Sequence, residues 1–210
     1  NDCKNRENVH LICNTDIEYH HLKKRNIICE KEIIKPLGLI INNECNIKTD
    51  LPNKNEVYFI PSYHNETIFM NLKEKMNELK IPNYNERHNG FHDLKEFKGV
   101  ICIPYAYSTW VFFEGIQLGM IYFLPSLQFL KKLSKKGNFW HQNMEYFDKY
   151  LHLSEWYCEE HKDILVYFDS WEDLKYKINI TNFKLQKQKI SDFALKIKKN
   201  SIQKWKILLS

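Results

Sequence analysis

GVICIPYAYSTWVFFEGIQLGMIYFLPS, residues 99–126, decides the fold. Val100 to Ile103 is an apolar, β-branched run, and Pro104, which carries no amide donor, stops it. Ser108 or Thr109 then offers a capping hydroxyl to a helix that runs to Leu118, and Gly119 supplies the left-handed residue with which many helices close. Met120 to Leu124 is a second apolar run, stopped by Pro125. Strand, helix and strand in direct succession predict parallel strands joined by a crossover helix. A continuous membrane helix over 99–124 is opposed by Pro104, Gly115, Gly119, the Ser108-Thr109 step and the central Glu114, so no transmembrane segment is expected.

The same alternation continues outward. Glu56 to Ile60 reads as a strand ending at Pro61, and Asn65 to Lys80 as a helix capped by Asn65, with Ile68, Phe69, Leu72, Met76 and Leu79 on one face. Asn83 to Gly90 reads as a short strand and polar loop, and His92 to Phe97 as one or two helical turns. Gln128 to Lys136 is a helix and Ile164 to Phe168 a strand; Asp169 or Ser170 caps the helix Trp171 to Ile178. Ahead of these, Val9 to Cys13 reads as a strand, Ile17 to Lys24 as a helix, and Glu32 to Ile41 as a strand broken at Pro36 and Gly38. The expectation is an α/β fold, a Rossmann-like parallel sheet with flanking helices. Residues 1–35 form the end of a preceding domain and a hinge, 36–181 the Rossmann-like unit, and 182–210 amphipathic helices packing on it.

Composition excludes other classes. The 210 residues are 43% apolar, 14% aromatic and 27% charged, with six Gly and six Pro, which rules out a disordered tail, a collagen repeat or a linker. Six cysteines without a CxxC pair predict reduced thiols and a cytoplasmic setting. Of a net charge of +5, the basic excess sits in residues 182–210, which carry eight Lys against one Asp. Ile190, Phe193, Ala194, Ile197, Trp205, Leu208 and Leu209 recur there at helical spacing, so the lysines read as the wet side of a docked amphipathic segment rather than a nucleic-acid or membrane footprint.

Chemistry concentrates where the most apolar strand feeds its helix. Tyr105 to Thr109 brings two hydroxyls and free amides to a positive helix end, which suits a diphosphate. Tyr105 and Tyr107 either stack on a nucleobase or complete the strand's core. Glu114 lies farther along the helix in an apolar run, where a bare carboxylate is costly. Its partner is either a Lys or Arg elsewhere or the hydroxyls of a sugar. His152, Cys158 and His161, with Glu155 and Glu159 nearby, have ligand-type side chains at a spacing that matches no zinc pattern, so no metal is expected.

The run Phe113 to Tyr122, preceded by Pro104-Tyr105-x-x-Ser108 and followed by Pro125-Ser126, resembles the donor-binding half of GT-B glycosyltransferases. Their C-terminal Rossmann-like domain carries a Ser/Thr step, a helix reading E-A-x-x-x-G and then a strand. The resemblance implies that Glu114 bonds the ribose of a nucleotide-sugar and that Ser108 and Thr109 meet its diphosphate. Ser62-Tyr63-His64-Asn65 stands where the family has a Gly-rich loop, with Ser62 and His64 as candidate phosphate contacts. Ala106 stands where many retaining members carry a second Glu. It further implies transfer of a sugar to a hydroxyl or glycan acceptor without metal or other cofactor, with acceptor and base on an N-terminal domain that this chain lacks. The alternative from a different class is a non-enzymatic interaction module, whose basic C-terminal helices bind an acidic partner or nucleic acid.

Overall fold

The computed structural model describes residues 10–27, 32–37, 53–61, 71–86, 88, 90–107, 109–135 and 149–210. Its centre is a five-stranded sheet of β1 (Tyr58–Phe59), β2 (Asn83–Tyr84), β3 (Gly99–Ile101), β4 (Tyr122–Pro125) and β5 (Val166–Phe168), ordered β2-β1-β3-β4-β5. Every pairing is parallel, with Tyr58 opposite both Asn83 and Gly99, Val100 opposite Tyr122, and Leu124 opposite Tyr167. This is the Rossmann-like α/β arrangement that the strand–helix–strand reading predicts. Chain order reverses between β1 and β3, and in doubly wound sheets the crevice outside the carboxyl ends at such a reversal is where ligands bind.

The α-helices that lie wholly within the described residues are α1 (Asp16–Lys24), α2 (Leu72–Glu78), α3 (Phe91–Leu94), α4 (Trp110–Gln117), α5 (Leu127–Ser134), α6 (Trp171–Ile180) and α7 (Phe183–Leu208). Their starts follow local capping chemistry. Asn71 accepts from the Glu74 amide at 3.2 Å, Ser126 from Phe129 at 3.2 Å, Ser170 from Asp173 at 3.1 Å and Asn182 from Leu185 at 3.0 Å. α4 closes at Gly119 (φ +74), whose left-handed turn lets the Met120 amide reach the Gly115 carbonyl at 2.9 Å.

Some boundaries differ from the sequence reading. The Asn65 cap lies outside the described residues, and the described part of that helix begins at Leu72 behind Asn71. The basic segment forms one 26-residue helix, α7. Among the described residues the N-terminal strands are represented by one parallel bridge, Cys13 to Ile33, closed by Cys13 N–H to the Glu32 carbonyl and Ile34 N–H to the Cys13 carbonyl, each 3.0 Å; Val9 and residues 38–41 lie outside the described residues. Cys102 and Cys158 carry free thiols. Among the described residues no helix is long and apolar enough to cross a membrane.

Aromatic side chains fill the core. The Tyr58 and Phe123 rings meet edge-on at 5.6 Å, and Phe112 meets Trp156 at 4.9 Å, tying α4 to the segment before β5. Ile17 of α1 is fully buried in the same core, so the first described residues pack as part of it. Lys54, 7% exposed, is paired with Asp93 and reaches Glu96 at 3.3 Å. Burial pulls its ammonium down, but the two carboxylates outweigh burial and the net shift is upward.

Candidate functional site

Two segments meet at the carboxyl ends of β3 and β4. The first is the exit of β3, Ile103 to Thr109, which leads into α4. The second is the aromatic segment 154–161, which lies across both strand ends. The Glu155 amide donates to the Tyr107 carbonyl at 3.2 Å, the Trp156 indole to the Ala106 carbonyl at 2.9 Å, and the Tyr157 hydroxyl to the Pro125 carbonyl at 2.8 Å. The Tyr167 hydroxyl donates to the Trp156 carbonyl at 2.6 Å, anchoring the segment to β5. Backbone groups that a strand end leaves exposed are thus satisfied by the segment that covers them.

Glu155 is fully buried, and one carboxylate oxygen accepts from both the Thr109 amide, at 2.6 Å, and the Thr109 hydroxyl, at 2.8 Å. Thr109 is the N-cap residue of α4, yet its hydroxyl makes no capping bond within the helix. The anion at this helix start is a carboxylate from 46 residues away, which satisfies free amides and complements the helix dipole.

Of the residues singled out in the sequence, Tyr105, Tyr107 and Thr109 lie on the segment that leads into α4 and Glu114 in its second turn; Ser62, His64 and Ser108 lie outside the described residues. Tyr107 is buried, and its ring lies 5.9 Å from that of His21 in α1. Burial, then Cys102 and Glu155, push the Tyr105 hydroxyl up. Glu114 sits in the second turn of α4, half-buried, and its carboxylate has no hydrogen-bond or ion-pair partner among the described residues. Burial raises it above the usual carboxylate range. Gly115 beside it is where the Tyr122 ring crosses α4: a Cβ there would stand 2.0 Å from the Tyr122 hydroxyl oxygen.

Beyond Glu155 opens a cavity of about 650 Å³, walled by Thr15 at the start of α1, by Lys35, by Glu155 and His161, and by Asn200 and Ser201 of α7. The Lys35 ammonium is paired with Glu160 and lies 2.9 Å from His161 Nε2. An ammonium only donates, so Nε2 accepts and the ring proton resides on Nδ1, which donates to the Glu155 carbonyl at 2.6 Å. Burial, then the Lys35 charge, lower His161 to about 4, so the ring is neutral. Ser201 donates to the Lys35 carbonyl at 3.0 Å, and Lys204 to the Ile33 carbonyl at 2.7 Å, which hold α7 against residues 33–35. Thr15 Oγ1 is buried with no hydrogen-bond partner among the described residues. Both His161 nitrogens are engaged, so the His152, Cys158 and His161 group does not converge as a ligand set.

Sequence reasoning missed the roles of Glu155, His161 and Lys35. The signal for Glu155 was the one that picked out Glu114, a carboxylate among apolar and aromatic neighbours in Ser154-Glu155-Trp156-Tyr157. A scan against protein-family models, a search of curated proteins and a search of solved structures found no match to this chain.

Proposed function

We propose that this chain is the donor-binding part of a glycosyltransferase, which moves a sugar from a nucleotide-sugar to a hydroxyl acceptor. The observation that carries the reading is Glu114: a half-buried carboxylate without a partner among the described residues, on the helix that starts at the carboxyl end of β3 beside the reversal of strand order. A carboxylate held in that state has accepting capacity for a ligand's hydroxyls, and a ribose presents two of them on one face. The cavity lined by Glu155, about 650 Å³, is within the range of small-molecule sites.

The diphosphate approaches the α4 start, and to take the Thr109 amide and hydroxyl it must displace the Glu155 carboxylate that holds them in this structure. Lys35, which lines the cavity with Glu155, balances the charge that develops on the leaving diphosphate. The sugar's anomeric carbon–oxygen bond to phosphate breaks, the acceptor oxygen forms the new bond, and its proton passes to a base on an N-terminal acceptor domain. The reading assigns no step to a metal.

A thermal-shift screen against UDP, GDP, ADP, CMP and their sugars, with and without Mg²⁺, tests this. A ligand bound only to the folded state adds about 2.7 kcal/mol of stability at a hundredfold excess over Kd, a rise of several degrees in Tm. The expected result is a Mg²⁺-independent rise with one nucleotide family. A flat response across the panel removes the proposal.

A further inference from the structure

α7 carries two apolar stripes, and among the described residues only one of them is buried. Ile190, Ala194, Ile197 and Ser201 are buried against the body of the protein. About a quarter turn round the helix from that face, Leu195, Ile202, Trp205 and, at the C-cap, Leu209 are 64%, 39%, 41% and 79% exposed. At about 100° per residue, these four fall within an arc of roughly 80°: Leu195, Ile202 and Leu209 stand one heptad apart, with Trp205 between the last two. Lys198, Lys199 and Lys206 stand within or beside that stripe, and Asp192 is the single acid in residues 182–210.

Three occupants are conceivable for such a face, and its chemistry separates them. A nucleic acid would use the lysines but leave Leu195, Ile202 and Leu209 in water. A second copy of the chain would cover the apolar residues but, in a two-fold pair, set Lys198, Lys199 and Lys206 near their own counterparts. An anionic lipid surface uses both features at once. The apolar stripe enters the acyl boundary, the lysines stay among the headgroups, and the amphipathic Trp205 ring sits at the level between them.

We infer that the outer face of α7 docks on an anionic membrane surface, with the helix lying in the interface plane. This holds whether or not the chain binds a nucleotide-sugar. The complementarity is specific: a run of lysines supplies attraction of about fivefold in affinity per residue near the surface, but a single chain of charges without apolar depth would not discriminate membranes from any polyanion.

Flotation of the full chain with vesicles tests it, using phosphatidylcholine alone and phosphatidylcholine mixed equally with phosphatidylserine. Binding is expected to the mixed vesicles, to be weak on phosphatidylcholine, and to fall as salt rises. The triple variant Lys198→Gln/Lys199→Gln/Lys206→Gln should weaken binding by on the order of 100-fold or more. Leu195→Gln/Ile202→Gln/Leu209→Gln, which keeps every lysine, should weaken it by at least about tenfold. All six positions lie on the outer side of the helix, so both variants should melt with the wild type. Absence of binding to the mixed vesicles overturns the inference. So does an apolar-stripe variant that binds them as well as the wild type, the result expected of a site for nucleic acid or another soluble polyanion. Self-association abolished by the apolar variant, in a chain that ignores vesicles, would assign the face to a second copy instead.

Discussion

Thr109 and Glu155, 46 residues apart in the chain, are joined by two hydrogen bonds into one buried carboxylate oxygen. This contact fixes the start of α4 and the segment that covers the carboxyl ends of β3 and β4 in a single step. Hydrogen bonds to a charged group are each worth about 1.5–3 kcal/mol, and the Thr109 amide is left without an acceptor if the carboxylate goes. Glu155→Ala is therefore expected to lower stability by about 2–4 kcal/mol in urea unfolding. A double-mutant cycle with Thr109→Val should give a coupling above about 0.5 kcal/mol. Strict additivity would mean that the two side chains act independently.

Gly115 yields a steric prediction. A methyl group there would stand 2.0 Å from the Tyr122 hydroxyl oxygen and 2.9 Å from its Cζ, and Tyr122 is buried with that hydroxyl donating to the Val111 carbonyl at 3.2 Å. The ring cannot swing clear without losing that bond. Gly115→Ala should cost about 1–3 kcal/mol, a fall in Tm of roughly 2–12 °C for a chain of this size. Adding Tyr122→Phe removes the nearest atom and should recover part of the loss. If the double variant melts below Gly115→Ala alone, the clash is not the cause.

How far the sequence could be read follows from where its information was local. Pro125 closes β4, Ser170 is a real cap and Gly119 a real helix stop, because each acts locally, whereas β3 ends at Ile101, three residues before Pro104. Thr109 did not follow the local rule: its hydroxyl is drawn to Glu155 rather than to the first turn of α4, and no spacing of residues announces a partner 46 positions away. Glu114 was legible because apolar neighbours surround it in sequence as well as in space. His161 was not, since its state depends on Lys35, which the fold brings in from 126 residues upstream. The basic C-terminal segment was legible as amphipathic, but the second apolar stripe needed the inner face to be known first.

His161 makes a prediction about pH. Its folded value of about 4 lies below the ordinary 6.5, so folding favours the neutral ring. Stability from this group is complete above pH 6.5 and declines as the pH falls from there toward 4, because the unfolded chain takes up the proton first. The full loss is on the order of 3 kcal/mol. Carboxylates titrate in the same window, so the informative quantity is the difference between wild type and His161→Gln. The wild type should lose more stability between pH 7 and pH 4.5, and Lys35→Met should narrow that loss by removing a charge that opposes protonation. Equal slopes in wild type and His161→Gln would show that the ring titrates normally.

Glu114 gives the prediction on which the functional reading rests, and it has two arms that a purely structural carboxylate would not satisfy together. Burial raises the Glu114 carboxyl, so the folded protein holds that proton more tightly than the unfolded chain does. Such a group favours folding below the ordinary carboxylate range and disfavours it as the pH rises through and above the raised value. Glu114→Gln should accordingly be as stable as the wild type or slightly more so at neutral pH, with the advantage shrinking in acid. The nucleotide should tell the opposite story: removing an acceptor of the ribose hydroxyls with Glu114→Ala should weaken donor binding by about 1–3 kcal/mol, roughly 5- to 150-fold in Kd by calorimetry. Stability retained with affinity lost identifies a carboxylate kept for a ligand. Stability lost with affinity retained would identify a carboxylate that the fold itself requires, and the donor assignment would fall with it.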